Sequence, residues 1–551
     1  MERQVRKVLV AGGGISGLSA AFYLQKSCAE RGIPVEVTVA ERSGRFGGKI
    51  ETLRKDGFVI EKGPDSFLAR KLPIIDLTRE LGLEEQLMPL NPKANATFIV
   101  RDGRMHRMPP GLMLGIPTQL APFMKTGLIS PLGKARAALD FVLPPRRGDE
   151  DESLGGFLAR RLGREVLERI AEPLLAGIYA GNTFELSLQA TFPQFREAER
   201  KYGSLIRGMM AGRKAPPAPT AAKGAVASGA ANGAAAAETG RSAGTGGGNA
   251  AGNGGGNSGD GHSPSPAGLP AHLKNSAFLH YKGGLTTLVD ALVEALAKGG
   301  ARLVTGRGIQ RIAKAEAASG TAGDAPGSSS GDLDGANSSG VRRGYTVTFD
   351  DGTGEHFDAI ILALPTYVTA ELLAEVPAVH ALRNIPYVSV ANVVMAFRAE
   401  EVEREPEGSG FLVPRTEGRF ITACTWTSRK WLHTAPPGRV LVRCYIGRSG
   451  AEDWQHLSDD ELLGRVRSDL RELAGVNAEP LFAEVTRLTR SMPQYPVGHL
   501  EQVRKAREQL ADRMPGIAVT GAGFHGVGLP DCIRQGKEAA FIIRDYLHSV
   551  S

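Results

Sequence analysis

Gly12, Gly14 and Gly17 are the first residues in this chain whose spacing suits a definite chemistry. They stand in the stretch VLVAGGGISGLSAAFYLQK, spaced G-x-G-x-x-G, directly after an apolar run and directly before a run of small and apolar residues. Such spacing serves a phosphate: the first glycine turns the chain sharply, the second admits a pyrophosphate against bare backbone, and the third lets a helix lie close on a strand. The helix that follows offers unpaired N–H groups and the positive end of its dipole, so Ile15 and Ser16 at its start join the candidate set. A second apolar run, VEVTVA, ends at Glu41. A carboxylate there accepts hydrogen bonds from both hydroxyls of an adenosine ribose and disfavours a 2′-phosphate. These residues describe an adenine dinucleotide site and by themselves leave NAD and FAD both open.

Holding them in place requires a strand, a glycine turn, a helix and a second strand, and KVLVA, SGLSAAFYLQKS and VEVTVA supply that order. Beyond Glu41 the stretch ERSGRFGGKI brings Arg42, Arg45, Gly47 and Gly48, cations and bare backbone where a longer cofactor crosses the strand ends. Near the C-terminus, GIAVTGAGFHGVGLPDCIRQGKEAAFIIRDYL predicts a strand over residues 517–520, a glycine-rich loop from Gly521, and a helix opening near Leu529 after Val527 and Gly528. The N-terminus of that helix stabilises negative charge on a reduced ring without a special side chain. Two glycine-rich strand-to-helix joints, one near each end, favour a long cofactor gripped at both ends. Between them, Gly283 and Gly284 precede an amphipathic helix marked by Leu285, Leu288, Val289, Leu292 and Leu296, and FDAIILALP reads as a further buried strand.

The 551 residues, 42% of them hydrophobic, are enough for two or three cores. Most of the glycine excess falls in residues 213–273 and 315–343, whose Gly/Ala/Ser/Pro composition offers too little apolar surface to offset ordering entropy. Both read as disordered insertions, the shorter one between two strands. Cys28, Cys424, Cys444 and Cys532 show no paired spacing, which argues against a disulfide framework or a zinc site and for a reducing compartment. With no leader pattern and no spanning apolar run, the expectation is a cytoplasmic protein. A net charge of +7 suggests an anionic partner, but the basic residues are scattered and carry no nucleic-acid-binding signature.

The E-x-x-x-R-x-G-G continuation of the fingerprint resembles the flavin-containing amine oxidase superfamily. Within it, EKGPDSFLARK (61–71), residues 115–144, EPLLAGIYAGNTFELSLQATFPQF (172–195) and SMPQYPVGH (491–499) resemble the soluble, Gram-positive type of bacterial porphyrinogen oxidase. The resemblance implies an α/β fold with a discontinuous Rossmann-like FAD-binding domain (1–62, 276–370, 500–551), a mixed-sheet substrate domain (63–86, 192–212, 371–499) and a helical lobe (87–191). It implies FAD as cofactor, and oxidation of coproporphyrinogen III or protoporphyrinogen IX in haem synthesis, with hydride passing to flavin N5 and O2 reoxidising the flavin to give H2O2. By the same resemblance the Arg45–Gly48 turn runs beside pyrophosphate and flavin, Gly63, Pro64, Asp65 and Ser66 bind the cofactor, Ile309 meets adenine, Lys71 and Arg70 receive propionates, and Ile178 lines the macrocycle pocket. Leu488 stands where relatives commonly have a tryptophan, which puts one aromatic contact to the flavin edge in question. No acid–base dyad is required. His499 and His525 read as hydrogen-bonded structural residues, so no catalytic side chain is assigned. Basic residues interleaved with apolar ones over 87–147 suit a membrane surface, a partner enzyme or a solvated roof over the cavity. The rivals are an amine oxidase or carotenoid desaturase of the same superfamily and a catalytically silent dinucleotide-binding protein.

Replacing residues 214–270 by a short flexible linker is expected to preserve folding, FAD content and turnover, and protease is expected to cut the full chain there first. Limited proteolysis and an assay of the deletion variant check this.

Overall fold

The computed structural model describes residues 4–214, 270, 273, 276–315, 344–402 and 407–550. An all-parallel sheet runs in the order Arg302–Val304, Val35–Ala40, Arg6–Ala11, Ala359–Leu362, Ile517–Val519. Its central strands are covered on both faces. Val8 and Val10 pack with helices Ile15–Glu30, Thr286–Lys298 and Leu529–Ser549, while Leu9 and Ala11 face a separate core with Ile360, Leu382 and Leu510. Burial on both sides is why these strands read as continuous apolar runs rather than alternating ones.

The first and last of those helices cross at close range. A Cβ on Gly536 would lie 2.4 Å from the Ser16 carbonyl oxygen, so the crossing demands glycine.

The second sheet is mixed. Its order is Phe482–Pro493, Tyr387–Arg398, Arg439–Ile446, Ile421–Trp426, Gly410–Leu412, Thr97–Arg101, Arg104–Arg107, antiparallel except where Gly410–Leu412 meets Thr97–Arg101. Residues 97–107, assigned to the helical lobe from sequence, therefore form an edge of this sheet. Residues 192–212 pack with the lobe instead of the sheet. Phe192 and Phe195 stack at 5.4 Å, Phe195 reaches Phe157 at 6.5 Å, and all three sit in the lobe's core. Fully buried Asp140 ties this region together: it pairs with buried Arg161 and accepts from the backbone N–H groups of Leu205 and Ile206, which open helix Leu205–Lys214.

Of the two glycine-rich segments, residues 215–269 and 316–343 lie outside the described residues. The strands flanking the shorter one, Ile309–Lys314 and Tyr345–Phe349, are antiparallel partners, and the Ala315 N–H donates to the Gly344 carbonyl at 3.0 Å. Among the described residues no helix is long and apolar enough to cross a membrane.

In an exposed helix Gly→Ala stabilises; here Gly536→Ala is expected to cost about 1–3 kcal/mol through overpacking against Ser16. A lower urea midpoint with an unchanged m-value is the signature to look for.

Candidate functional site

A cavity of about 480 Å³ opens at the carboxyl ends of the parallel strands, where ligands bind in open α/β sheets. Each strand delivers wall residues from the turn that follows it. Gly12, Gly14, Ile15 and Ser16 come after the first strand, Glu41 and Arg42 after the second, Ala363 to Pro365 after Ala359–Leu362, and Gly521 after the last. Gly47, Gly48, Gly63 and Pro64 close one side, and Val527 and Leu529 close the end at the C-terminal helix. The opposite wall is the face of the mixed sheet, with Val390, Asn392, Arg443, Tyr445 and Leu488. Register explains why these side chains share it: Asn392 lies opposite Tyr445 and Val390 opposite Leu488, while Arg443 is two residues from Tyr445 on one strand.

The residues present fit an adenine dinucleotide. Helix Ile15–Glu30 begins at Gly14 and helix Leu529–Ser549 at Gly528, neither has a side-chain cap, and wall residues come from the first turn of both. Their free N–H groups and dipoles suit anionic groups. Gly12 has φ +98°, and a Cβ on Gly17 would lie 1.9 Å from the Gly12 carbonyl oxygen, so the tight turn excludes side chains. The Gly47 N–H donates to the Gly13 carbonyl at 2.8 Å, bringing the two glycine turns together. Glu41 accepts from the Gly13 N–H at 2.7 Å and the Ser43 N–H at 2.8 Å, which fixes its carboxylate at the strand end.

Several residues singled out from sequence stand behind the wall rather than on it. Gly17 serves the helix–strand contact, and Gly528 is the residue from which the C-terminal helix starts. Arg45 donates to the Gly48 carbonyl at 2.8 Å and the Ile50 carbonyl at 2.9 Å and pairs with Glu51 at 2.7 Å, so it braces the turn. Buried Asp65 accepts from Ser66 at 2.8 Å and pairs with Lys430 at 2.9 Å. Burial raises the Asp65 pKa, but the Lys430 and Arg443 cations outweigh it and hold the carboxyl below its usual range. Ile309 packs at the edge of a core beside the Glu41 turn, where the Arg307 N–H reaches the Glu41 carbonyl at 2.9 Å. Ile178 is half-buried against the lobe, while its neighbours Gly177 and Ala180 line the cavity. Arg70 is exposed, and Lys71 is committed to Asp531 at 3.2 Å.

The SMPQY stretch acts as a staple. The Tyr495 hydroxyl donates to the Ala522 carbonyl and accepts from the Gly526 N–H at 2.8 Å, and Gln494 donates to the Tyr179 carbonyl at 2.8 Å. His499 is buried, stacks on Tyr495 at 4.2 Å and bonds to the Phe524 carbonyl at 2.9 Å; burial pushes its pKa down to about 4. It holds the glycine loop in a neutral form.

Sequence reasoning missed Lys49, Asn392 and Arg443. Lys49 lines the cavity and donates to the Ser491 carbonyl, and its setting within the protein lowers its pKa to about 8, chiefly by desolvation. Asn392 donates to the Lys62 carbonyl at 2.9 Å and Arg443 to the Gly63 carbonyl, so the mixed sheet grips the turn after strand Phe58–Glu61 through two side chains. The available signal was a polar residue inside an apolar strand, as in VANVVMAF and VLVRCYI.

The family model described as flavin containing amine oxidoreductase matches residues 15–543. A coproporphyrinogen III oxidase of Bacillus subtilis is 38% identical over 99% of this chain and 99% of its own length. One from Staphylococcus aureus is 33% identical over 97% of this chain and 98% of its own length. A solved structure of a putative protoporphyrinogen oxidase from Exiguobacterium sp. 255-15 superposes with a TM-score of 0.74 at 30% identity, covering 98% of each chain.

Glu41→Ala is expected to weaken FAD retention by about 1.5–3 kcal/mol, the scale of hydrogen bonds to a charged acceptor. The ratio of flavin absorbance to protein absorbance after extended dialysis measures it.

Proposed function

The chain belongs to the flavin containing amine oxidoreductase family, and on that premise we propose that it oxidises a porphyrinogen in haem synthesis, coproporphyrinogen III in preference to protoporphyrinogen IX. FAD is its cofactor. The observation that carries the reading is one continuous cavity that runs from the Gly12–Gly17 loop and Glu41 to the face of the mixed sheet, joining a dinucleotide end to a mainly apolar chamber. Full-length similarity to coproporphyrinogen III oxidases supports the substrate.

When bound, FAD supplies a hydride acceptor at N5 and passes electrons on to O2. The protein's own contribution is placement. Gly12, Gly14, Ile15, Ser16 and Gly47 would hold the pyrophosphate, Glu41 would accept from the ribose hydroxyls, and the opening turn at Val527 to Leu529 would offer N–H groups to a ring gaining negative charge. Val390, Leu488 and Tyr445 give the macrocycle an apolar wall, and Leu488 in place of an aromatic leaves that wall aliphatic at one point. Orienting a ring carbon and excluding bulk water are what this geometry does for the rate.

Cys28, Cys424, Cys444 and Cys532 are all free thiols, which supports a reducing, cytoplasmic setting. On the lobe, Met124, Leu132 and Val142 are 56%, 84% and 76% exposed beside Lys125 and Lys134, a surface that supports contact with a membrane or a neighbouring enzyme of the pathway.

Purified protein is expected to be yellow and, mixed aerobically with each porphyrinogen, to produce porphyrin fluorescence with the higher kcat/KM on coproporphyrinogen III. An equal or higher value on protoporphyrinogen IX reverses the preference. No porphyrin from either substrate removes the assignment and favours the catalytically silent alternative.

A further inference from the structure

A side recess of about 40 Å³ adjoins the main cavity and shares Gly177, Ala180, Thr422 and Gly447 with its wall. Arg448, Arg415 and Glu172 bring three charges to it. Glu172, the first residue of helix Glu172–Tyr179, pairs with Arg415 at 3.1 Å, and Arg415 also donates to the Ser449 carbonyl at 2.9 Å. Arg448 follows Gly447, whose φ of +93° turns the chain out of strand Arg439–Ile446. Among the described residues none bonds its guanidinium directly, and Glu172, already paired with Arg415, attracts it through space. The cluster thus holds two cations and one carboxylate, an excess of one positive charge in a half-buried recess.

Resting on the porphyrinogen reading, we propose that Arg448 receives a carboxylate of the substrate and is a specificity-determining residue of this enzyme. The recess is too small for a pyrrole ring and suits a group the size of a carboxylate. A guanidinium matches that group with two parallel N–H donors. None of the glycine-loop residues lines the recess, which separates it from the phosphate-binding end. Of the other cations near the cavity, Lys71 pairs with Asp531 and Lys430 with Asp65, Lys49 donates to the Ser491 carbonyl, Arg443 spends one donor on the Gly63 carbonyl and keeps Nε and Nη1 without a protein partner, and Arg42 sits beside Glu41 at the dinucleotide end. Burial, reinforced by the neighbouring Arg415 charge and partly offset by Glu172, lowers the Arg448 pKa to about 10, so it stays charged at neutral pH beside a carboxylate already paired with Arg415. A half-buried guanidinium gains from a paired carboxylate more than a fully solvated one does, and a ligand carboxylate supplies that pairing.

The test titrates the FAD-loaded full chain with coproporphyrin III and with its tetramethyl ester, in wild type, Arg448→Met and Arg448→Lys. The expected result is a Kd for coproporphyrin III raised roughly tenfold or more in Arg448→Met, partial recovery in Arg448→Lys, and ester binding the same in all three. In steady state, KM for coproporphyrinogen III rises more than kcat falls. Wild-type turnover of coproporphyrinogen III with an unchanged coproporphyrin Kd in Arg448→Met overturns the Arg448 assignment alone, as does an equal loss of ester binding. A wild type that neither binds coproporphyrin III nor oxidises a porphyrinogen overturns the underlying reading, and this assignment with it.

Discussion

The site depends on backbone contact between two turns, in which the Gly47 N–H donates to the Gly13 carbonyl at 2.8 Å and Gly14 and Gly47 form a parallel bridge. It joins the loop that opens helix Ile15–Glu30 to the turn that follows Glu41, and both turns line one cavity. Arg45 locks the second turn through the Gly48 and Ile50 carbonyls, and Glu41 locks the first through the Gly13 N–H. The protein's own hydrogen bonds therefore brace both turns of the cradle.

A second constraint comes from the mixed sheet. Asn392 and Arg443 reach from it to the carbonyls of Lys62 and Gly63, and Lys430 reaches Asp65 two residues further on. These bonds join the sheet that faces the substrate chamber to the segment that leaves the parallel-sheet half. The orientation of the chamber toward the dinucleotide end follows from them. Arg443 keeps two buried donors, Nε and Nη1, without a protein partner, so this wall is polar as well as apolar.

The architecture also shows where this chain accommodates extra length. Strands Ile309–Lys314 and Tyr345–Phe349 pair directly, so the intervening residues 316–343 enter and leave at adjacent points. Closing a longer loop between ends already held together adds only a logarithmic entropy cost. Residues 215–269 likewise follow a helix, Leu205–Lys214, whose start is capped by buried Asp140 and whose Leu205, Ile206 and Met209 lie in the lobe's core.

The sequence by itself determined the dinucleotide half. Its glycine spacing, its two-sided apolar strands and Glu41 are local features, each readable within about thirty residues because a turn, a strand period and a helix start are set by neighbouring residues. The likeness of quoted motifs to porphyrinogen oxidases gave the family. What only the tertiary structure decided was which polar residues meet. Lys71, expected to receive a propionate, has Asp531 as an ion-pair partner 460 positions away, which no local spacing announces. Asp65, expected to bind the cofactor, pairs with Lys430 from the far half of the chain, and residues 97–107, assigned to the lobe, pair beside Gly410–Leu412. Arg448 carries no local motif at all. Whether a charge is paired or free depends on what long-range packing brings beside it and how much water that packing removes, and neither is encoded in the spacing of nearby residues.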